Sequence, residues 1–222
     1  MTMKAKDKYN EQMQRLATES FKDHEITRSG YRRWHLKKPG TSCYWTEVIA
    51  TANGVYVNGD VDVVVFGGGD HISGTDQVKW LGATKSFGYV VEKAQIGFSN
   101  RDIVYTYDSE VAADQIREAK NEYIKNGKTK YVHVFDEALD ALEMGDLREQ
   151  ILPALYEHED VWYLFDECSR IGDVVAPRIF YAHAALQKLH QLLTSARGER
   201  WCLECGMGEC VCGHSPRWSN EP

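Results

Sequence analysis

Residues 31–66 read YRRWHLKKPGTSCYWTEVIATANGVYVNGDVDVVVF, and this stretch decides the fold class. Aromatic and β-branched residues, which favour strands, dominate it. Turn signals interrupt it at Pro39-Gly40, Asn53-Gly54 and Asn58-Gly59-Asp60. Asn-Gly is the strongest short hairpin signal, because both positions tolerate a positive φ. The stretch therefore predicts a meander of three or four antiparallel strands.

Outside this block, apolar residues recur at helical spacing. The pattern predicts helices over 5–21, from Thr75, over 109–125 and over 174–195. Ser109 is the expected N-cap of the third, and Asn126-Gly127 its end. Residues 86–97 suit either a strand or a helix, and 131–170 read as helices interrupted at Gly145 and Pro153.

Strands early and helices late predict an α+β fold, with an N-terminal antiparallel β-meander packed against C-terminal helices. We expect one α+β domain over 1–198, β-rich over 28–70 and helical over 75–195. A small Cys-rich, zinc-bound tail over 199–222 follows it.

Composition and charge indicate where the chain works. The formal net charge is -7, yet residues 1–40 hold ten Lys/Arg against five Asp/Glu, and residues 136–167 hold eleven Asp/Glu against one basic residue. Such separation suits electrostatic steering of a partner, or two solvated faces. No apolar run approaches the roughly 20 residues that cross a bilayer, and the N-terminus lacks a signal-peptide core. We therefore expect no membrane association, and a cytosol where thiols stay reduced.

The last residues, 200–222, read RWCLECGMGECVCGHSPRWSNEP and crowd four thiols together. Tetrahedral Zn²⁺ takes four such ligands, and a closed thiolate shell is structural rather than catalytic. The predicted ligands are Cys202, Cys205, Cys210 and Cys212, with His214 as an alternate. A disordered tail with free thiols, or disulfides outside the cytosol, are the competing interpretations.

Basic and aromatic side chains interleave in residues 28–45, a mixture that stacks bases and neutralises phosphates. The predicted ligand- or partner-binding residues here are Arg32, Arg33, Trp34, Lys37, Lys38, Tyr44 and Trp45. Because neighbouring side chains on a strand point to opposite faces, only about half of these can line one surface.

The glycine-rich segment FGGGDHISGTD, residues 66–76, is a second candidate site, where Asp70 and His71 are the chemistry-bearing residues. A flexible surface loop is the competing interpretation. Asp60 and Asp62 share one face of a predicted strand, as a metal-binding pair or as carboxylates that tie down a turn. His133 and His183, within apolar runs, are expected to be core or boundary residues.

The stretch over 31–66, followed by FGYVVEKAQIG and YTYDSEVAADQI, resembles a group of uncharacterised proteins carried by tailed bacteriophages. The resemblance covers about residues 28–120. It implies a viral gene product made inside a bacterium, and so the host bacterial cytoplasm. It brings no activity and no catalytic residue.

Three functions follow as hypotheses. The first is a phage accessory protein that binds and inhibits a bacterial host component, such as a defence system, with the acids of 136–167 imitating a nucleic-acid surface. The alternative is a nucleotide or nucleic-acid binding (sequestering) protein that uses the basic aromatic strands. The third is a hydrolase-type enzyme built on Asp60, Asp70 and His71.

Overall fold

The computed structural model describes residues 3–30, 32–41, 45–60, 62–67, 74–97, 103–145 and 171–194, and seven positions between 151 and 165. They confirm an α+β fold with an early antiparallel sheet and later helices. The chain divides into two compact units. Met1–Gln12 and Tyr105–Val175 form the helical unit, and Met13–Val104 and Ala176–Pro222 form the sheet unit. The predicted boundary at 198/199 lies outside the described residues.

The sheet unit is built on five strands, one more than the most we predicted. They are β1 (Glu25–Gly30), β2 (Arg33–Lys37), β3 (Trp45–Ala50), β4 (Gly54–Gly59) and β5 (Val64–Gly67). Their order in the sheet is β1-β2-β3-β4-β5, and every neighbouring pair is antiparallel. The predicted meander is therefore confirmed.

The turns between these strands lie where the sequence signals predicted them, but the interactions that close them are not always the predicted ones. Gly40, after Pro39, has the positive φ of 73° that such a turn favours. Asn53 and Gly54 are not among the described residues with positive φ. Instead, the Thr51 hydroxyl donates to the Gly54 carbonyl and accepts from the Asn53 amide. A side-chain turn therefore closes the β3–β4 hairpin.

One face of the sheet is covered by helices. α2 (Gly74–Ala83) contacts β3 and β4, and α3 (Phe87–Gly97) contacts β5, which settles residues 86–97 as mainly helical. The last helix, α6 (Pro177–Thr194), contacts α2, α3, β3 and β5. The buried apolar side chains of these five strands are Trp34, Leu36, Val48, Ala50, Val55, Val57, Val64 and Phe66. They form an apolar layer on the covered face.

α2 and α6 cross in contact at Gly82. A Cβ added to Gly82 would lie 2.4 Å from the carbonyl oxygen of Leu186 and 2.5 Å from Cβ of His190. Only glycine fits there, because the obstacle is the backbone of the opposing helix.

We expect Gly82→Ala to lower the free energy of unfolding by about 1–3 kcal/mol, the usual cost of overpacking. Gly88, in α3, is the matched control because a Cβ there meets no atom within 4 Å. Gly88→Ala is expected to be neutral or stabilising by up to about 1 kcal/mol. Denaturant unfolding measures both variants, and equal midpoints would contradict the described crossing.

The helical unit contains α4 (Ser109–Lys125) and α5 (Val132–Glu143), with a two-stranded ribbon of β6 (Tyr105–Tyr107) and β7 (Asp173–Val175). Residues 1–12 contribute the first part of α1 (Met3–Phe21), whose remainder belongs to the sheet unit. The core of the helical unit holds Ile116, Tyr123, Phe135, Ile151, Leu155, Phe165 and Ile171 among others.

Two predictions about helix ends in the chain were wrong. The N-cap of α4 is Asp108, not Ser109, since the Asp108 carboxylate accepts from the Val111 amide at 2.9 Å. The last helix begins at Pro177 rather than at 174, because Val174 and Val175 belong to β7. The predicted stops are confirmed at Gly127 and Gly145, which have φ of 74° and 82°, while Pro153 lies outside the described residues.

Gly172 joins the ribbon to α4. Its carbonyl accepts from the Asp108 amide at 2.9 Å, and its amide donates to Oε1 of buried Gln115 at 2.8 Å. Its φ is 74°, and a Cβ there would lie 2.4 Å from the Tyr107 ring and 2.9 Å from Cβ of Ala112. Both backbone polar groups of Gly172 are therefore hydrogen-bonded, and no space is left beside it for a Cβ atom.

Candidate functional site

The second face of the sheet carries exposed side chains. On β2, Trp34 and Leu36 are buried, whereas Arg33 and Lys37 are exposed and His35 is half-buried. This alternation is the period of an extended strand. It divides the predicted binding residues between two faces, as expected.

Strand register places two exposed aromatic residues on this second face. Tyr56 lies opposite Ile49 and Val65, and Trp45 lies opposite Lys37. Trp45 is 37% exposed, Tyr56 39% and Val63, just before β5, 41%. Because Tyr56 lies opposite Ile49, four residues along β3 from Trp45, the strand rise separates the two positions by roughly 14 Å along the sheet. Six residues on this face are exposed or half-buried, and we call them the open sheet face: Lys37, Trp45, Ile49, Tyr56, Val63 and Val65.

A charge cluster lies within the same face of the sheet, because Glu47 stands between Trp45 and Ile49 on β3 and opposite His35 on β2. Glu47 is only 5% exposed, and its Oε1 accepts from Nε of Arg33 at 2.5 Å and lies 3.1 Å from Nε2 of His35. A buried carboxylate needs such partners, since desolvation without them is costly. The Arg33 guanidinium is thus committed to Glu47, and the surface offers less free positive charge than its sequence suggests.

The structure separates the other predicted residues. Trp34 is 2% exposed and belongs to the core, so it is not available at the open sheet face. Arg32 lies between β1 and β2 with φ of 54°, and its carbonyl accepts from the Ala50 amide. Lys38 is exposed in the turn after β2. Tyr44, Asp70 and His71 lie outside the described residues, as do Cys202, Cys205, Cys210, Cys212 and His214.

Asp60 and Asp62 do not share a strand face, because β4 ends at Gly59 and β5 begins at Val64. Oδ2 of Asp60 accepts from the Trp45 amide at 3.0 Å. Oδ1 of Asp62 accepts from the Val63 amide, and its Oδ2 lies 2.6 Å from Nη1 of Arg178 on α6. Both carboxylates hold the β4–β5 connection, which confirms the turn interpretation.

Sequence reasoning missed Tyr56 and Val63 as surface residues. Both lie in runs rich in valine, a composition that favours a strand without showing which face a side chain occupies. The available signal was the two-residue alternation of the strand, because Tyr56 lies between Val55 and Val57, which are fully buried. A side chain between two core residues of a strand must face the other way.

The helical unit carries a separate acidic surface. α5 contributes Asp136, Glu137, Asp140 and Glu143 and no Lys or Arg. Asp136 is paired with Lys120 of α4, whereas Glu137, Asp140 and Glu143 are exposed. A shallow groove of about 310 Å³ lies between α4 and α5, with Leu139 and Leu142 in its lining. α5, the acidic helix, therefore holds four of the eleven acidic residues that the sequence places between 136 and 167.

Comparisons of the chain with protein-family models, curated proteins and solved structures found no match. Within the ranges that the structure covers, no three His, Cys, Asp or Glu side chains converge as metal ligands would. None of the helices in those ranges is both long and apolar enough to cross a bilayer.

Proposed function

We propose that this chain is a phage accessory protein that binds and inhibits a protein of its bacterial host, with the open sheet face as the contact surface. The single observation that carries this proposal is that two aromatic side chains, Trp45 and Tyr56, are 37% and 39% exposed on the sheet face that the helices leave open. Exposed apolar patches mark interaction sites, and tryptophan and tyrosine are the residues most enriched among binding hot spots.

Charge favours a protein partner over a nucleic acid at this surface. Nucleic-acid affinity depends on Lys and Arg that neutralise phosphates. Arg33 is paired with Glu47, and Lys37 lies opposite Glu25 of β1 in the strand register. A charged rim around aromatic anchors is instead the usual composition of a protein–protein interface. Nucleic-acid binding at the same strands remains the alternative function.

Site-specific crosslinking tests the proposal directly. A photo-reactive phenylalanine derivative at position 56 retains the aromatic ring and should capture one host protein in bacterial lysate. With that protein purified, Tyr56→Ser is expected to weaken binding about 30-fold or more, since truncating a hot-spot residue costs about 2 kcal/mol or more. Ile124→Ser is the matched control, because Ile124 is as exposed as Tyr56 but lies on α4; its affinity should be unchanged.

Two results would redirect the proposal. A shift of labelled oligonucleotides, with affinity that falls steeply as salt rises, supports the nucleic-acid alternative. Loss of the captured protein with Glu137→Gln and Asp140→Asn, but not with Tyr56→Ser, places the contact on the acidic helix instead. The oligonucleotide assay decides the first of these results, and the comparison of variants decides the second.

We also propose that Cys202, Cys205, Cys210 and Cys212, with His214 as alternate, bind a structural zinc ion in the tail. The support is the ligand spacing in the sequence and the thiolate preference of Zn²⁺. Elemental analysis should find about one zinc per chain, and Cys202→Ser with Cys205→Ser should remove it. Metal-free protein, or disulfide-linked thiols in protein purified under reducing conditions, contradicts this site.

A further inference from the structure

A cavity of about 400 Å³ lies within the sheet unit, away from the open sheet face. The second part of α1, the segment that follows α2, the start of α3 and one side of α6 line it. Its described lining includes Phe87, Phe180, Lys85, His183, His190 and Gln187. Cavities of about 300–1,000 Å³ with a few placed polar groups are typical small-molecule sites.

The floor of the cavity is apolar and aromatic. The Phe87 and Phe180 rings stack with centroids 4.3 Å apart and planes inclined by 17°. Phe180 is buried, whereas Phe87 is half-buried and also lines the cavity. The close α2–α6 crossing at Gly82 adds backbone to the lining without any side-chain bulk. A flat ring system fits against such a floor, because aromatic faces stack on one another.

The cavity walls supply hydrogen-bonding groups of both kinds. Nε2 of His183 donates to the Leu81 carbonyl at 3.2 Å, so Nδ1 of the neutral ring remains an acceptor. Nδ1 of His190 is enclosed and has no hydrogen-bond partner among the described residues. The side-chain amides of Gln14, Gln187 and Gln191 are at the same lining. Amides and imidazoles of this kind match the mixed donor and acceptor edge of a nucleobase.

Among its described lining residues, the cavity has one charged side chain, a lysine. Lys85 is the only Lys, Arg, Asp or Glu among its described lining residues, and it is exposed. It forms no ion pair with another residue that the structure describes. An ammonium group that stands alone at a cavity mouth favours an anionic ligand, and lysine is a common phosphate binder.

We propose that this cavity binds a nucleoside monophosphate, with the base against Phe87, its edge on the imidazoles and amides, and the phosphate at Lys85. The volume, near the lower end of small-molecule sites, suits one nucleotide and not a polymer. This site shares no residue with the open sheet face, so it stands or falls independently of the proposed docking function.

Calorimetric titration of the full chain with AMP, GMP, CMP and UMP tests the proposal. At least one should bind and raise the unfolding temperature, with a stabilisation that grows as RT ln(1 + L/Kd), where L is the free nucleotide concentration. The matching nucleoside should bind about tenfold more weakly or worse. Ribose 5-phosphate and inorganic phosphate should bind hardly at all. No binding by any nucleotide at millimolar concentration overturns the proposal, as does phosphate binding as tightly as the nucleotide.

Two variants separate the base from the phosphate. Lys85→Gln should weaken nucleotide binding about tenfold and leave the nucleoside unaffected, since a charge-assisted contact is lost. Phe87→Leu should weaken both ligands by about fivefold or more, since base stacking is lost. Lys125→Gln, an equal charge loss on α4, is the control and should change neither affinity. Equal effects of Lys85→Gln and Lys125→Gln would show general charge attraction rather than a site.

Discussion

Replacing Gly172 with alanine is expected to lower the free energy of unfolding by roughly 2–5 kcal/mol, the largest effect of any single substitution considered. Two costs add. A non-glycine residue in the left-handed region costs about 1–2 kcal/mol. A Cβ at this position would also lie 2.4 Å from the Tyr107 ring and 2.9 Å from Ala112, and overpacking of that kind costs about 1–3 kcal/mol.

Gly127 provides the matched control for this substitution. It has the same φ of 74°, but a Cβ there meets no atom within 4 Å. Gly127→Ala should therefore lose only the conformational part, about 1–2 kcal/mol. Urea unfolding of both variants gives the steric part by difference. If the two substitutions cost the same, the packing of Gly172 against Tyr107 and Ala112 is not as described.

The second large effect is a loss of stability on acidification that depends on His183. Burial lowers the pKa of His183 from its usual 6.5 to about 4, opposed by the hydrogen bond to Leu81. The unfolded chain therefore binds this proton more readily than the folded protein. The stabilisation is fully present above about pH 6.5 and is lost as the pH falls towards 4. It amounts to about 3 kcal/mol at most, from about 1.4 kcal/mol for each pH unit between the two values.

His183→Gln isolates this contribution from the carboxyl groups that titrate in the same range. Glutamine can still donate to the Leu81 carbonyl but does not titrate. Between about pH 7 and pH 4.5, the free energy of unfolding should fall more steeply in the wild type than in the variant. Identical slopes for wild type and His183→Gln would contradict the burial of a neutral imidazole.

Local signals predicted the sheet better than its boundaries. Period-2 alternation and short turns identify β2 to β5, because each partner is close in sequence and one face must be buried. β1, with the sequence EITRSG, lacks apolar alternation, and it lies at the edge of the sheet, next to β2 alone. β6 and β7 pair Tyr105 with Val175, which are far apart in the chain, so no local pattern predicts this pair of strands.

The candidate sites were less predictable than the fold, for a physical reason. A sequence shows that Arg33 is basic, but only the register shows Glu47 beside it on the next strand. The cavity residues show the same limit: Lys85, His183 and Gln14 come from three separate segments, and only the packing of α1 and α6 brings them together. Of the two histidines expected at core or boundary positions, His183 is buried, whereas His133 of α5 is exposed, so the expectation was wrong for His133.

The order in which the ribosome delivers the chain matters for the sheet unit. Its strands are complete by Gly67, but α6 begins only at Pro177, and Ile179, Phe180, Leu186 and Leu189 of that helix are buried in the finished protein. Until these residues emerge, part of the apolar layer of the sheet has no cover. Nascent sheets left uncovered invite aggregation. A chaperone that holds the nascent chain, or slow release from the ribosome, should therefore raise the yield of folded protein, whereas truncation before α6 should leave an insoluble product.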